Sequence, residues 1–143
     1  FGAPLFADDD PERAVACAIE MQNALVAVNA EQRRLKLPEL AMGIGINTGE
    51  AVVGNIGSEQ RASYGAVGTP INAAYRIESF TVGGQILISP STYEKVQSRV
   101  SIIGTKEVKF KGLDQPVCLY DVGGIGDPYQ VFLPEKKELP MKG

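Results

Sequence analysis

The sequence contains no histidine, and that absence removes whole classes of chemistry. Ser-His-Asp and Cys-His catalysis are excluded, as is any histidine-ligated metal. Chemistry in this chain must rest on carboxylates, basic residues, amides, or groups supplied from elsewhere. Cysteine is scarce too. Cys17 falls in a helical pattern and Cys118 in a strand pattern, so both are expected as small buried residues rather than a disulfide or a metal site. No apolar run approaches membrane-spanning length, and no signal-peptide pattern is present. An excess of basic residues is missing as well: the formal net charge is -3 and the pI is near 5.0, where nucleic-acid binders usually carry a basic footprint. The first residue is not Met, and Phe1-Gly2-Ala3-Pro4 reads like the frayed end of a strand, which gives the expectation of a fragment.

What remains is ordinary globular material. A length of 143 residues with 44% hydrophobic and 22% charged residues suits one domain with a real core. Asp8, Asp9 and Asp10 precede Pro11 and a helical pattern running to about Ala30. Ala14, Ala18, Met21, Leu25 and Val28 recur there at three- and four-residue intervals and define the expected buried stripe. The aspartates are read as a helix start, with Asp10 as the cap, and not as metal ligands. Arg33 to Pro38 is a basic, proline-ended connection.

Leu40 to Asn47 reads as a strand in which Met42, Ile44 and Ile46 alternate with Gly43 and Gly45. One face is apolar and the other bare. Two alternating glycines weaken a strand, so they point to close approach by another backbone or a ligand. Asn47 to Glu50 is a turn signal, with Ala51 to Ile56 expected to return as an antiparallel partner. A second turn, Gly57 to Gln60, leads to a strand over Tyr64 to Val67, and the glycine-rich hairpin could help build a dimer. Further on, Gln85 to Ile88 is a short apolar strand, and Ser89-Pro90 opens a helix through about Val96. Ser101 to Lys111 alternates with charge, Gly112 to Gln115 turns, and Val117 to Val122 is the last expected strand. Gly123 to Gly143 is read as a surface tail, leaving residues 1–122 as the domain.

The chain is organised around Tyr64 to Ser79, YGAVGTPINAAYRIES. Thr69 followed by Pro70 is a strong helix start: a hydroxyl to cap orphan amides, then a proline whose missing N–H costs nothing. Asn72 and Arg76 stand four apart and share a helical face, while Ala73, Ile77 and Phe80 fall on the neighbouring, buried one. An amide beside a guanidinium near a helix start suits a phosphate-bearing ligand. On spacing alone an ordinary solvated pair is the simpler reading. The surrounding runs shift that balance.

Those runs are FGAP, GIGINTGEAVVGNIG, VGTPINAAYRIES, GGQILIS, and VKFKG with PV and YDV after it. In this order they resemble the catalytic domain of the class III nucleotidyl cyclases, the adenylate and guanylate cyclases, and they span nearly the whole chain. The resemblance implies an α+β fold: a ferredoxin-like, mixed or antiparallel sheet with flanking helices, here lacking its N-terminal strand, helix and hairpin. It implies head-to-tail homodimers with active sites between subunits. The implied reaction is attack of the ribose 3′-hydroxyl of ATP or GTP on its own α-phosphorus, expelling pyrophosphate, with two Mg²⁺ or Mn²⁺ ions. By motif match, Asn72 positions the ribose, Arg76 neutralises the α-phosphoryl transition state, and Lys111, with Lys109 as the alternative, meets the terminal phosphates.

The family's two metal-binding aspartates lie before the FGAP run, so no metal site is expected among these residues and the chain alone is expected to be inactive. The resemblance puts the second base-reading position on Gly65, which offers no side-chain partner to a purine edge; this weakens the adenine case and mildly favours guanine but leaves ATP versus GTP open. The resemblance also implies a signalling role in the cytoplasm, with sensor or regulatory domains in a longer parent. A catalytically dead, cyclase-like dimerisation or regulatory domain is the competing expectation. A ferredoxin-like nucleic-acid binder is disfavoured by the acidic balance and the lack of stacking aromatics on a predicted sheet face.

Overall fold

A computed structural model describes residues 1–3, 5–57 and 63–134. Ten elements follow in order: α1 (Asp10–Arg34), β1 (Ile44–Ile46), β2 (Val52–Ile56), β3 (Ser63–Val67), α2 (Thr69–Ser79), β4 (Ile86–Ile88), α3 (Pro90–Val96), β5 (Val100–Val108), β6 (Val117–Ile125) and β7 (Val131–Phe132). Among them β1, β4, β6 and β5 lie side by side in that order, with β7 joined to β6. β1 and β4 run parallel, in register Ile44 to Ile86 and Ile46 to Ile88; the other pairings in the sheet are antiparallel. β2 and β3 form a separate antiparallel ribbon. The fold is α+β with a mixed sheet, as expected.

Alternation along the sheet explains its two apolar layers. Ile86 and Ile88 face one side, where Val15, Ala18 and Ile19 of α1, Val96 of α3 and Val122 of β6 form the first cluster. Leu87 faces the other side, with Ile77 of α2, Val108, Phe110 and Leu119. All three β4 residues are fully buried because helices cover both faces. Local signals set the ends of α3: Ser89 is its N-cap and accepts from the Thr92 amide at 3.2 Å, with Pro90 in the first turn.

Several expectations are corrected. The residues after β1 do not reverse into a hairpin. β1 pairs with β4, some forty residues away, and β2 pairs with β3. The expected strand over 40–47 is therefore reduced to Ile44–Ile46. α1 buries Val15, Ala18, Ile19 and Gln22, whereas Met21 and Val28 are exposed. Ala14, Cys17 and Met21 instead line an open groove of about 890 Å³, facing Ile44, Ile46 and Val53. Cys17 is accordingly exposed, while Cys118 is half-buried. Asp10 does not cap α1; it lies inside the first turn, where its carboxylate accepts from the Ala7 amide at 2.9 Å and faces Arg13 at 3.4 Å. The last expected strand extends to Ile125, and Val131–Phe132 pair back onto it, so the start of the expected tail is part of the sheet. The second expected turn, over 57–60, and the end of the tail, 135–143, lie largely or wholly outside the described residues.

Candidate functional site

α2 is seated on β1 by an absence of side chains. Gly43, Gly45, Asn47 and Gly49 share one face of the β1 segment, opposite Ile44 and Ile46. A Cβ at Gly45 would lie 2.5 Å from the Glu78 amide nitrogen and 3.0 Å from the Ala74 carbonyl oxygen. At Gly43 it would meet the Thr81 hydroxyl, and at Gly49 the Pro70 ring at 2.7 Å. The close approach expected from the alternating glycines is thus made at Gly45 by the backbone of α2 and at Gly43 by the Thr81 side chain just beyond it. Asn47 takes the remaining position on this track, and its amide Nδ2 donates to the Pro70 carbonyl at 3.0 Å.

The start of α2 departs from expectation. Gly68, at φ 141°, is the N-cap, and its carbonyl accepts from the amides of Ile71 and Asn72 at 3.1 and 3.2 Å. Among the described residues the Thr69 hydroxyl makes no capping bond, while Pro70 stands in the first turn as expected. Ile77 is buried, with Ala73 and Phe80 half-buried beside it. This rotation leaves Asn72 and Arg76 together on the exposed face.

The far end of α2 is tied to the end of β5. Phe80 stacks on buried Phe110, with ring centroids 5.8 Å apart, and the Lys106 ammonium donates to the Phe80 carbonyl at 2.7 Å. These contacts bring the 109–112 segment under the helix, where the Arg76 guanidinium donates to the Lys111 carbonyl at 3.4 Å. No carboxylate lies within 4.0 Å of Arg76 among the described residues. Its charge is therefore open to an anion. Lys109 and Lys111 are both exposed, flanking Phe110. Arg76 and Lys111 thus sit side by side, and Asn72 stands one turn before them. Gly65 lies elsewhere, in β3 opposite Gly54, on the ribbon that feeds α2 through Gly68.

The divalent ion pair finds no fit here. Among the described residues no three His, Cys, Asp or Glu side chains are grouped so as to hold a metal. Asp9 instead accepts from the Tyr129 hydroxyl, and Asp10 is occupied by Ala7 and Arg13. From the sequence, Lys106 is only one charge on an alternating strand and Asn47 only a strand end that opens a turn; neither carries a site role. The one signal the sequence had for Asn47 was its place in phase with Gly43 and Gly45.

Comparison with known proteins agrees with this architecture. Residues 3–132 match the family described as "Adenylate and Guanylate cyclase catalytic domain". The crystal structure of the guanylyl cyclase Cya2 superposes with a TM-score of 0.87 at 55% identity, covering 93% of this chain and 68% of that one. The adenylyl cyclase CyaB from P. aeruginosa gives a TM-score of 0.76 at 32% identity, covering 85% and 64%. Adenylate cyclase 1 of Rhizobium meliloti (strain 1021) is 32% identical over 127 residues, which is 87% of this chain but 19% of that protein. The chain thus spans about a fifth of the length of this curated relative.

Proposed function

Because the chain belongs to the adenylate and guanylate cyclase catalytic-domain family, we propose that it supplies the Asn72–Arg76 half of a nucleotidyl cyclase site. That site closes a nucleoside triphosphate into its 3′,5′-cyclic monophosphate, with release of pyrophosphate, for signalling. The observation that carries this reading is the pairing on α2. Asn72 and Arg76 share an exposed face, and the guanidinium has no carboxylate partner among the described residues yet lies 3.4 Å from the Lys111 carbonyl.

In the proposed reaction the ribose O3′ gives up its proton and bonds to the α-phosphorus while the bond from that phosphorus to the pyrophosphate oxygen breaks. Negative charge grows on the α-phosphoryl oxygens, where the two-pronged guanidinium of Arg76 donates hydrogen bonds. The Asn72 amide orients the ribose from one turn earlier on the same rigid helix. The Lys111 ammonium, with Lys109 as its alternative, neutralises the departing phosphates. Both divalent ions, Mg²⁺ or Mn²⁺, draw their carboxylates from sequence preceding Phe1, and the second half of the cleft comes from another copy of the chain. The same reading puts the domain in the cytoplasm, with regulatory domains accounting for part of the extra length of the relatives. No described helix is long and apolar enough to cross a membrane.

Gly65 and the 55% identity to a guanylyl cyclase favour GTP as the substrate. The test is kinetic, in the protein extended upstream of Phe1. Arg76→Ala should lower turnover by about 10²–10³ while the circular-dichroism spectrum is retained, and kcat/KM should be higher for GTP than for ATP. Unchanged turnover in Arg76→Ala would remove the assignment. An upstream sequence without two suitably placed aspartates would leave a non-catalytic dimerisation domain that keeps the cyclase fold.

A further inference from the structure

A strand face stripped of side chains fixes how close α2 sits to the sheet but not where it sits along the strand. Glycines present no knobs to interlock with the helix, and apolar contact is non-directional. The Phe80–Phe110 stack and the Lys106 bond to the Phe80 carbonyl hold the far end of the helix; at its first turn the position along the track needs a directional bond. Among the described residues the side-chain hydrogen bond from this track to α2 is that of Asn47 Nδ2 to the Pro70 carbonyl, at 3.0 Å.

The other end of the same amide is also engaged. The Ser91 hydroxyl lies 3.1 Å from Asn47 Oδ1, 3.0 Å from the Thr48 carbonyl and 3.0 Å from the Ser89 hydroxyl. Ser89 and Thr92 are buried at the start of α3, and Thr92 in turn meets the Thr48 hydroxyl at 2.8 Å. The amide orientation follows from the partners: a flipped Asn47 would aim its oxygen at the Pro70 carbonyl, acceptor against acceptor. Asn47 therefore connects a fixed point, the α3 cap in the core, to the first turn of α2. Pro70 precedes Asn72 by two residues and Arg76 by six, so any slip of the first turn carries both site residues with it.

We propose that Asn47 is a positioning residue of the site helix: it sets the place of α2 along the glycine track, and so the place of Asn72 and Arg76. The catalytic consequence rests on the cyclase reading above; the mechanical one does not. The test uses the protein extended upstream of Phe1 and the variants Asn47→Ala, Asn47→Asp, Ser91→Ala and the Asn47→Ala/Ser91→Ala double. Asn47→Asp is nearly isosteric and keeps the acceptor for Ser91 but loses the donor to Pro70. Both Asn47 variants should lower kcat by about 10- to 10²-fold, the cost of a small misplacement of reacting groups, with KM within about threefold. Ser91→Ala should cost less, and the double variant should be no worse than Asn47→Ala, because both act through one amide. Amide hydrogen exchange should quicken in α2 and stay unchanged in α1.

Wild-type kcat in either Asn47 variant overturns the catalytic consequence. Unaltered exchange in α2, or a loss of protection spread evenly over the whole protein, overturns the mechanical one. If Arg76→Ala is itself silent, the cyclase reading falls, and the exchange measurement still decides the role of Asn47.

Discussion

At the scale of single residues, charge and hydrogen-bond partners decide what each polar group can do. Arg76 rests on a neutral carbonyl and has no carboxylate partner among the described residues, which leaves its charge open to a ligand there. Tyr129 shows the opposite case. Its hydroxyl donates to the Asp9 carboxylate, and that bond, with some desolvation and the nearby negative charge, raises the phenol above its ordinary value. The raised value means the folded state favours the protonated phenol. The resulting stability is complete below about pH 10 and is lost as the pH climbs through the raised value. Tyr129→Phe should therefore flatten the fall in denaturation midpoint as the pH rises above about 10. A wild-type pH profile in that variant would show that the bond carries no such linkage.

At the scale of elements, α2 and β1 act as one unit. The strand supplies a bare face, and at Gly45 the helix backbone occupies the space where a side chain would stand. Gly45→Ala would put a Cβ 2.5 Å from the Glu78 nitrogen, and backbone has no rotamer with which to yield. Overpacking of this kind costs about 1–3 kcal/mol, readable as a lower urea midpoint at unchanged slope, and it should lift Asn72 and Arg76 as well. α1 carries the complementary lesson. It has two apolar stripes, and only the one holding Val15, Ala18 and Ile19 is covered by the sheet. The stripe chosen from spacing shares Ala18 with it but also includes Ala14 and Met21, which border the groove. Periodicity identified the helix but could not say which stripe the sheet would meet.

At the scale of the whole molecule, the described residues form a sheet covered on both faces, but they group no acidic cluster able to bind a metal. With the metal carboxylates supplied from upstream of Phe1, as proposed, this chain alone should give no cyclic nucleotide from GTP or ATP with Mg²⁺ or Mn²⁺, whereas the form extended upstream of Phe1 should. Chromatography of the nucleotide products checks both arms. Activity from the chain alone would mean that the metal ligands lie within it.

The sequence by itself determined the local grammar: the Ser89-Pro90 and Pro70 helix starts, the rotation of α2 that buries Ile77 and exposes Asn72 and Arg76, and the apolar run of β4. It also carried the ordered runs that marked the family. These features depend on residues within a turn or two of each other, so they are written in adjacent letters. The tertiary structure alone decided that β1 pairs in parallel with β4 and not with β2, which stripe of α1 is buried, and that Asn47 reaches Pro70 and Ser91 instead of making a hairpin. Each of those outcomes is a choice among partners far apart in the chain. It is settled by which pairing buries the most surface and leaves no polar group unmatched, a comparison that exists only once the elements have come together.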